Sequence, residues 1–222
     1  MIGTISYEEE QKRWQNYFVR HGKTEWNLEG RFQGGYGDSA LLEEAIEAAK
    51  ETGKRLSDIS FAHVYTSPQK RAKDTAEYII EESRLNLPLT EVDGLREIGF
   101  GDWEGQPFSY AEENHLEAYI NLKAHPEKYD PSAFNGETYE ELIERSQKAV
   151  EKAVANHPGE DLLFVAHGVT LLTIMHTLIG KETGDIRSKG LLSNTSISIL
   201  EIDEKAGYSI VSWNDTTHLE VK

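Results

Sequence analysis

Two short apolar runs in this chain each end on a histidine followed by a glycine. Tyr17-Phe18-Val19 leads into Arg20-His21-Gly22, and Leu162-Leu163-Phe164-Val165-Ala166 leads into His167-Gly168. An uninterrupted apolar run of this length is the pattern of a strand covered on both faces, as in a parallel sheet flanked by helices. Open sheets of that kind bind ligands beyond the carboxyl ends of their strands. A glycine just past the strand lets the backbone turn sharply and approach a ligand closely.

The rest of the chain alternates in the same sense. After the first strand comes a glycine-rich loop, Gly34-Gly35-Tyr36-Gly37, and Ser39 is expected to cap a helix over 41–56. Phe61 to Tyr65 reads as the second strand. Ser67-Pro68 has the form of an N-cap followed by proline, opening a helix over 69–82. Leu89 to Val92 reads as a short strand and 112–124 as a helical segment. Thr138 opens a long helix to about Asn156, and His157-Pro158-Gly159 stops it before the strand 162–166. Thr170 to Ile179 is apolar on most faces, the pattern of a buried helix. Residues 196–202 and 208–213 alternate around a polar turn and read as a terminal hairpin.

Strands separated by helices define an α/β fold, a mainly parallel sheet with helices on both faces. Residues 93–135 break the alternation and are expected to form an insertion over the carboxyl ends of the strands. Residues 1–15 read as a polar extension preceding a single domain over 16–222. In this arrangement the sheet edge gathers Arg20 and His21, then Ser67 to Arg71, then His167. Arg71 falls in the first turn of its helix, where free N–H groups and the helix dipole also favour an anion. Arginine is suited to bidentate contact with phosphate oxygens. Two arginines, two histidines and a helix N-terminus describe a phosphoryl site.

Composition narrows the partners. A formal net charge of −16 argues against a nucleic-acid groove or an anionic membrane surface. It leaves room for a small phosphorylated metabolite, because a pocket focuses the field of a few converging cations. The chain has no cysteine, which removes disulfides, thiolate metal sites and cysteine nucleophiles. No metal-ligand spacing stands out, and no Gly-x-Gly-x-x-Gly or Walker loop follows any strand. No apolar run is long enough to span a bilayer, and residues 1–15 lack a signal-peptide core, so a cytoplasmic location is expected.

Taken together, the motifs resemble a known family. Arg20-His21-Gly22-Lys23-Thr24-Glu25-Trp26-Asn27 is similar to the Arg-His-Gly-x-Ser/Thr-x-x-Asn signature of the histidine phosphatase superfamily, the phosphoglycerate mutase-like proteins. The segments Thr66 to Ala76, Leu95 to Gly105, Gly136-Glu137-Thr138 with Arg145, and Val165 to Gly168 resemble its later blocks, in family order. The resemblance implies the three-layer phosphoglycerate mutase-like sandwich. It implies that His21 takes the phosphoryl group as a phosphohistidine, and that Arg20, Arg71 and His167 surround that group. Glu97 matches the family's acid, which protonates the leaving oxygen and then deprotonates water; Asp102 and Glu104 are rivals in the same loop. Thr24, Asn27, Gln33 and Gly168 are candidates for substrate binding, although Asn and Gln also serve turns and caps. Trp103 and Phe100 are either pocket wall or core.

No cofactor is implied. Gly101-Asp102-Trp103-Glu104-Gly105 resembles the broad-specificity phosphatase branch, and the following stretch, 106–117, is acidic and without Lys or Arg. The expected reaction is therefore metal-independent hydrolysis of a phosphomonoester in a pocket for one phosphate and a less charged remainder. Two alternatives stand beside it: a phosphoglycerate mutase-type phosphotransferase, and a catalytically silent domain binding phosphate or phosphopeptide.

Overall fold

The computed structural model describes residues 12–219. β1 (Arg13–Arg20) is followed by a short α1 (Glu25–Glu29) and by α2 (Glu43–Leu56). Then come β2 (Phe61–Thr66), α3 (Lys70–Ser83) and β3 (Leu89–Glu91). The central segment carries α4 (Phe108–Asn114) and α5 (Leu116–Ala124), and α6 (Tyr139–Asn156), β4 (Asp161–Ala166) and α7 (Gly168–Leu178) follow. β5 (Ile197–Asp203) and β6 (Gly207–Asp215) close the sheet. Its strand order is β3-β2-β4-β1-β5-β6, with the first four parallel and the last two antiparallel to their neighbours.

Side chains on β1, β2 and β4 alternate between two apolar layers, which is why these strands read as unbroken hydrophobic runs. Phe18, Leu162 and Phe164 pack with Leu171, Leu172 and Met175 of α7. Tyr17, Val19, Val64, Leu163 and Val165 point the other way, onto Ala49 and Leu56 of α2 and Ala76 and Ile79 of α3. The parallel register sets Val19 opposite Val165 and Arg20 opposite Ala166, and Thr66 of β2 opposite Val165. β1 and β4 therefore finish level, with β2 one residue short of them, and His21 and His167 emerge side by side with Ser67 next to them. The His21 amide continues the ladder by donating to Ala166 O at 2.9 Å, as the Ser67 amide does to Val165 O at 3.1 Å.

Several local expectations are corrected. Arg13 to Gln15 pair with β5, so the sheet takes in the last three residues of the stretch read as an extension; residues 1–11 lie outside the described residues. Ser39 does not cap α2, whose N-cap is Leu42 without a side-chain bond; the serine hydroxyl instead accepts from Trp26 N at 3.1 Å. Likewise α3 starts at Lys70 with Gln69 as N-cap, because Ser67 turns inward to His167. The helical segment over 112–124 is two helices that break at His115. Thr138 does cap α6, in a capping box with Glu141.

The central segment extends the apolar layer that contains Phe18, Phe164 and α7. Trp103 is fully buried, stacks on Phe134 at 3.9 Å and touches Phe32 at 5.0 Å between ring centroids, so it is a core residue. In the main core, Phe164 is fully enclosed and stacks on Phe18 at 5.2 Å and Tyr65 at 5.6 Å. Phe164→Ala is expected to lower the unfolding free energy by about 3–5 kcal/mol, measured by urea denaturation.

Candidate active site

A cavity of about 290 Å³ opens at the level ends of β1 and β4. Arg20, His21, Glu97 and Gly168 line its inner end. Phe32, Phe100, Phe108 and Tyr119 form an aromatic wall, so Phe100 serves the pocket while Trp103 serves the core.

His21 is 3% exposed, and its Nδ1 lies 2.7 Å from Gly22 O. A carbonyl accepts, so Nδ1 carries the proton and Nε2 keeps its lone pair. The loop is pinned from two further sides: Gly22 N donates to Thr75 Oγ1 at 3.0 Å, and Asn194 Nδ2 donates to His21 O at 2.9 Å. His167 stands beside it, ring centroids 5.2 Å apart, with Nε2 2.7 Å from Ser67 Oγ. Its Nδ1 is buried and has no partner among the described residues. Burial, then the charges of Arg71 and Arg20, hold the His21 imidazole well below its ordinary range. Burial, then Arg71 and His21, do the same to His167.

Arg20 donates to Leu192 O, and its Nε has no partner among the described residues. Its guanidinium passes close to Gly168, where an added Cβ would lie 3.3 Å from Arg20 Nε. A side chain at 168 would crowd the guanidinium, which is a physical reason for glycine there.

Glu97 is the carboxylate of the cavity. Its Oε1 accepts from Thr170 N at 2.9 Å and its Oε2 from Val169 N at 3.1 Å, so it sits on the open N-terminus of α7. Its rivals are elsewhere. Glu104 accepts from the amides of Gly34, Gly37 and Phe100 at 2.9–3.1 Å and anchors the glycine loop. Asp102 accepts from the exposed Asn135.

The remaining predicted residues divide. Asn27 and Gln33 line the cavity, and Gln33 Nε2 is buried with no partner among the described residues. Thr24 instead caps α1, accepting from Asn27 N at 3.3 Å and donating to Gln33 Oε1 at 3.1 Å. Arg71 is fully enclosed and is not part of the cavity wall. Its two terminal nitrogens hold the carbonyls of Gln33, Gly34 and Gly37 at 2.8–3.2 Å and pair with Asp38 at 3.1 Å. Its positive charge still acts on both imidazoles.

Sequence reasoning missed several contributors. Asn194, Leu192 and Arg187 come from the loop between α7 and β5, which has no period to read. Lys123 comes from α5, just past the acidic stretch 106–117. Lys123 and Arg187 make the outer cavity more cationic than that stretch implies, while Arg31 is paired with Glu29. Among the described residues, neither Lys123 nor Arg187 has a carboxylate within ion-pair distance, and no group of three or more His, Asp or Glu side chains is placed to hold a metal ion. No helix among them is long and apolar enough to cross a membrane.

A parallel-led sheet here brings two histidines, an arginine and a buried carboxylate together at its strand ends. Residues 16–216 match the histidine phosphatase superfamily (branch 1), and the chain belongs to that family. It is 35% identical over 201 residues to an uncharacterized phosphatase, PhoE, of Bacillus subtilis, covering 90% of this chain and 94% of that protein. It is 30% identical over 203 residues to phosphoglycerate mutase-like protein 4 of Arabidopsis thaliana, covering 91% and 85%. The solved structure of Bacillus stearothermophilus YhfR superposes with a TM-score of 0.86 at 33% identity, covering 93% of this chain and 99% of that one. These relationships support phosphatase or mutase activity.

The depressed imidazoles have a thermodynamic signature. Their ordinary value is 6.5, and the unfolded chain takes up protons there while the folded protein does not. The stability they contribute is complete above that pH and is lost as the pH falls toward the depressed folded values. In phosphate-free buffer the unfolding free energy should therefore decline between about pH 7.5 and 5.5. The decline should be shallower in the His21→Asn, His167→Asn double variant; identical slopes would remove these imidazoles as its source.

Proposed function

We infer that the protein hydrolyses phosphomonoesters through a phosphohistidine at His21, without a metal ion. The observation that carries this reading is the pinned ring of His21, whose Nε2 lone pair is free in a cavity shared with Arg20 and Glu97.

In the first step His21 Nε2 attacks phosphorus, a P–N bond forms and the P–O ester bond breaks. Protonated Glu97 gives its proton to the departing alkoxide or phenoxide. In the second step a water attacks phosphorus, its proton goes to the Glu97 carboxylate, the P–N bond breaks and inorganic phosphate leaves. Arg20 and the unpartnered His167 Nδ1 supply donors for the phosphoryl oxygens, and Arg71 contributes charge from behind the cavity. This fixed positive environment does the electrostatic work that a metal ion does in other phosphatases. Asn27, Gln33 and Gly168 complete the substrate wall, and the segment 93–135, through Phe108, Tyr119 and Lys123, sets specificity for a small phosphorylated metabolite.

One observation favours the phosphotransferase as a second reading. Lys123 and Arg187 add cations to the outer cavity, which suits a substrate bearing another anionic group, as a phosphoglycerate does.

Wild-type protein should release phosphate from an aryl phosphate in the presence of chelator. His21→Ala should lose on the order of 10³-fold or more, the scale on which removal of a covalent nucleophile acts. Substantial turnover in His21→Ala would overturn the phosphohistidine. Phosphoglycerate interconversion that depends on a bisphosphoglycerate primer, exceeding hydrolysis, would establish the mutase instead. An inert wild type that still binds phosphate would establish the silent domain.

A further inference from the structure

The loop that carries Glu97 belongs to no strand or long helix, yet its backbone converges on one side chain. Arg145, on α6, donates from NH1 to Gly94 O and Arg96 O, each at 2.9 Å, and from NH2 to Glu97 O at 3.1 Å. The guanidinium is itself oriented by Glu137, which accepts from Arg145 Nε and, at 2.7 Å, from NH2. Glu137 also brackets the far end of the loop: its carboxylate accepts from Gly99 N at 2.9 Å and its own amide donates to Gly99 O at 2.7 Å. At the near end the loop lies directly on α6, since a Cβ on Gly94 would fall 2.6 Å from Arg145 O and 2.8 Å from Ala149 Cβ. One bidentate ion pair thus fixes the backbone at residues 94, 96, 97 and 99. The planar fork of arginine can serve three carbonyls and a carboxylate at once, which an ammonium group cannot reproduce in the same geometry.

Glu97 has two attachments. Its side chain is held from one side by the α7 amides and by Thr170 Oγ1 at 2.9 Å, while its backbone is held from the other by Arg145. Thr170 Oγ1 is also 2.7 Å from Arg96 O, so α7 and the clamp hold adjacent atoms of the same turn. A catalytic acid must be within hydrogen-bond reach of the oxygen it protonates, and small displacements are costly. We propose that Arg145, oriented by Glu137, is a positioning residue for the general acid: it touches no reacting atom, and it sets where the Glu97 carboxyl stands relative to the ester oxygen that leaves phosphorus as His21 attacks. The proposal rests on the reading of Glu97 as the acid.

Leaving-group dependence separates positioning of the acid from a merely structural role. A dinitrophenolate departs without a proton, whereas the alkoxide of an alkyl phosphate such as glycerol phosphate needs one. Single-turnover release of the leaving group should be measured for both substrates in wild type, Arg145→Lys, Glu137→Gln and Glu97→Gln, with melting temperatures alongside. Arg145→Lys should slow the alkyl phosphate by about tenfold or more and leave dinitrophenyl phosphate within about twofold. Glu97→Gln should show the same selectivity with a larger loss, about 10²-fold or more on the alkyl phosphate. Equal losses on both substrates in Arg145→Lys, or no loss on either, would overturn the positioning role. If that variant does not fold, Glu137→Gln is judged by the same two outcomes. A Glu97→Gln variant that slows both substrates equally would instead overturn Glu97 as the acid, and Arg145→Lys selectivity cannot mimic that result.

Discussion

The parallel pairing of β1 with β4 is the constraint from which the site follows. Because Arg20 stands opposite Ala166, the next residue on each strand is a histidine at the same height. Neither imidazole needs a long loop to reach the other, and both are enclosed by the strands and helices that deliver them. Burial in a positively charged environment then keeps both rings neutral, the state in which an imidazole can act as a nucleophile. Sheet register, desolvation and reactivity are one chain of cause.

Much of the polar machinery around the cavity holds backbone rather than ligand. Arg71 gathers the carbonyls of the loop 33–38, Glu104 takes its amides, and Gln69 joins that loop to the Glu97 amide at 2.9 Å. These loops lack ladder partners, so their peptide groups would be left unsatisfied on burial without such side chains. Charged residues are well suited to the task because one guanidinium or carboxylate can serve several peptide groups. The side chains left to meet substrate are fewer, and they are reached from several loops.

The strands and the two His-Gly ends were legible because they depend on local pattern: an apolar run, its length and the residue that stops it. Thr138 was legible for the same reason, since a capping box is complete within four residues. Ser39 and Ser67 have the chemistry of caps, yet their hydroxyls are taken by distant partners, Ser67 by a histidine one hundred positions away. The same limit applies to Arg71, whose residue type announces phosphate while its tertiary setting gives it to a loop. Glu97 was singled out in sequence only by its place in the motif, with Asp102 and Glu104 as rivals in the same loop, and in the fold Glu97 is the one that meets the α7 N-terminus. Asn194, Arg187 and Lys123 come from segments whose position over the cavity no periodicity records.

The position of Glu97 on α7 changes the part that helix plays. In many phosphate sites a helix N-terminus faces the ligand and offers it free amides. Here the Val169 and Thr170 amides already hold a carboxylate belonging to the protein. A phosphoryl group entering the cavity therefore finds those amides already taken, and its grip falls to a handful of side chains.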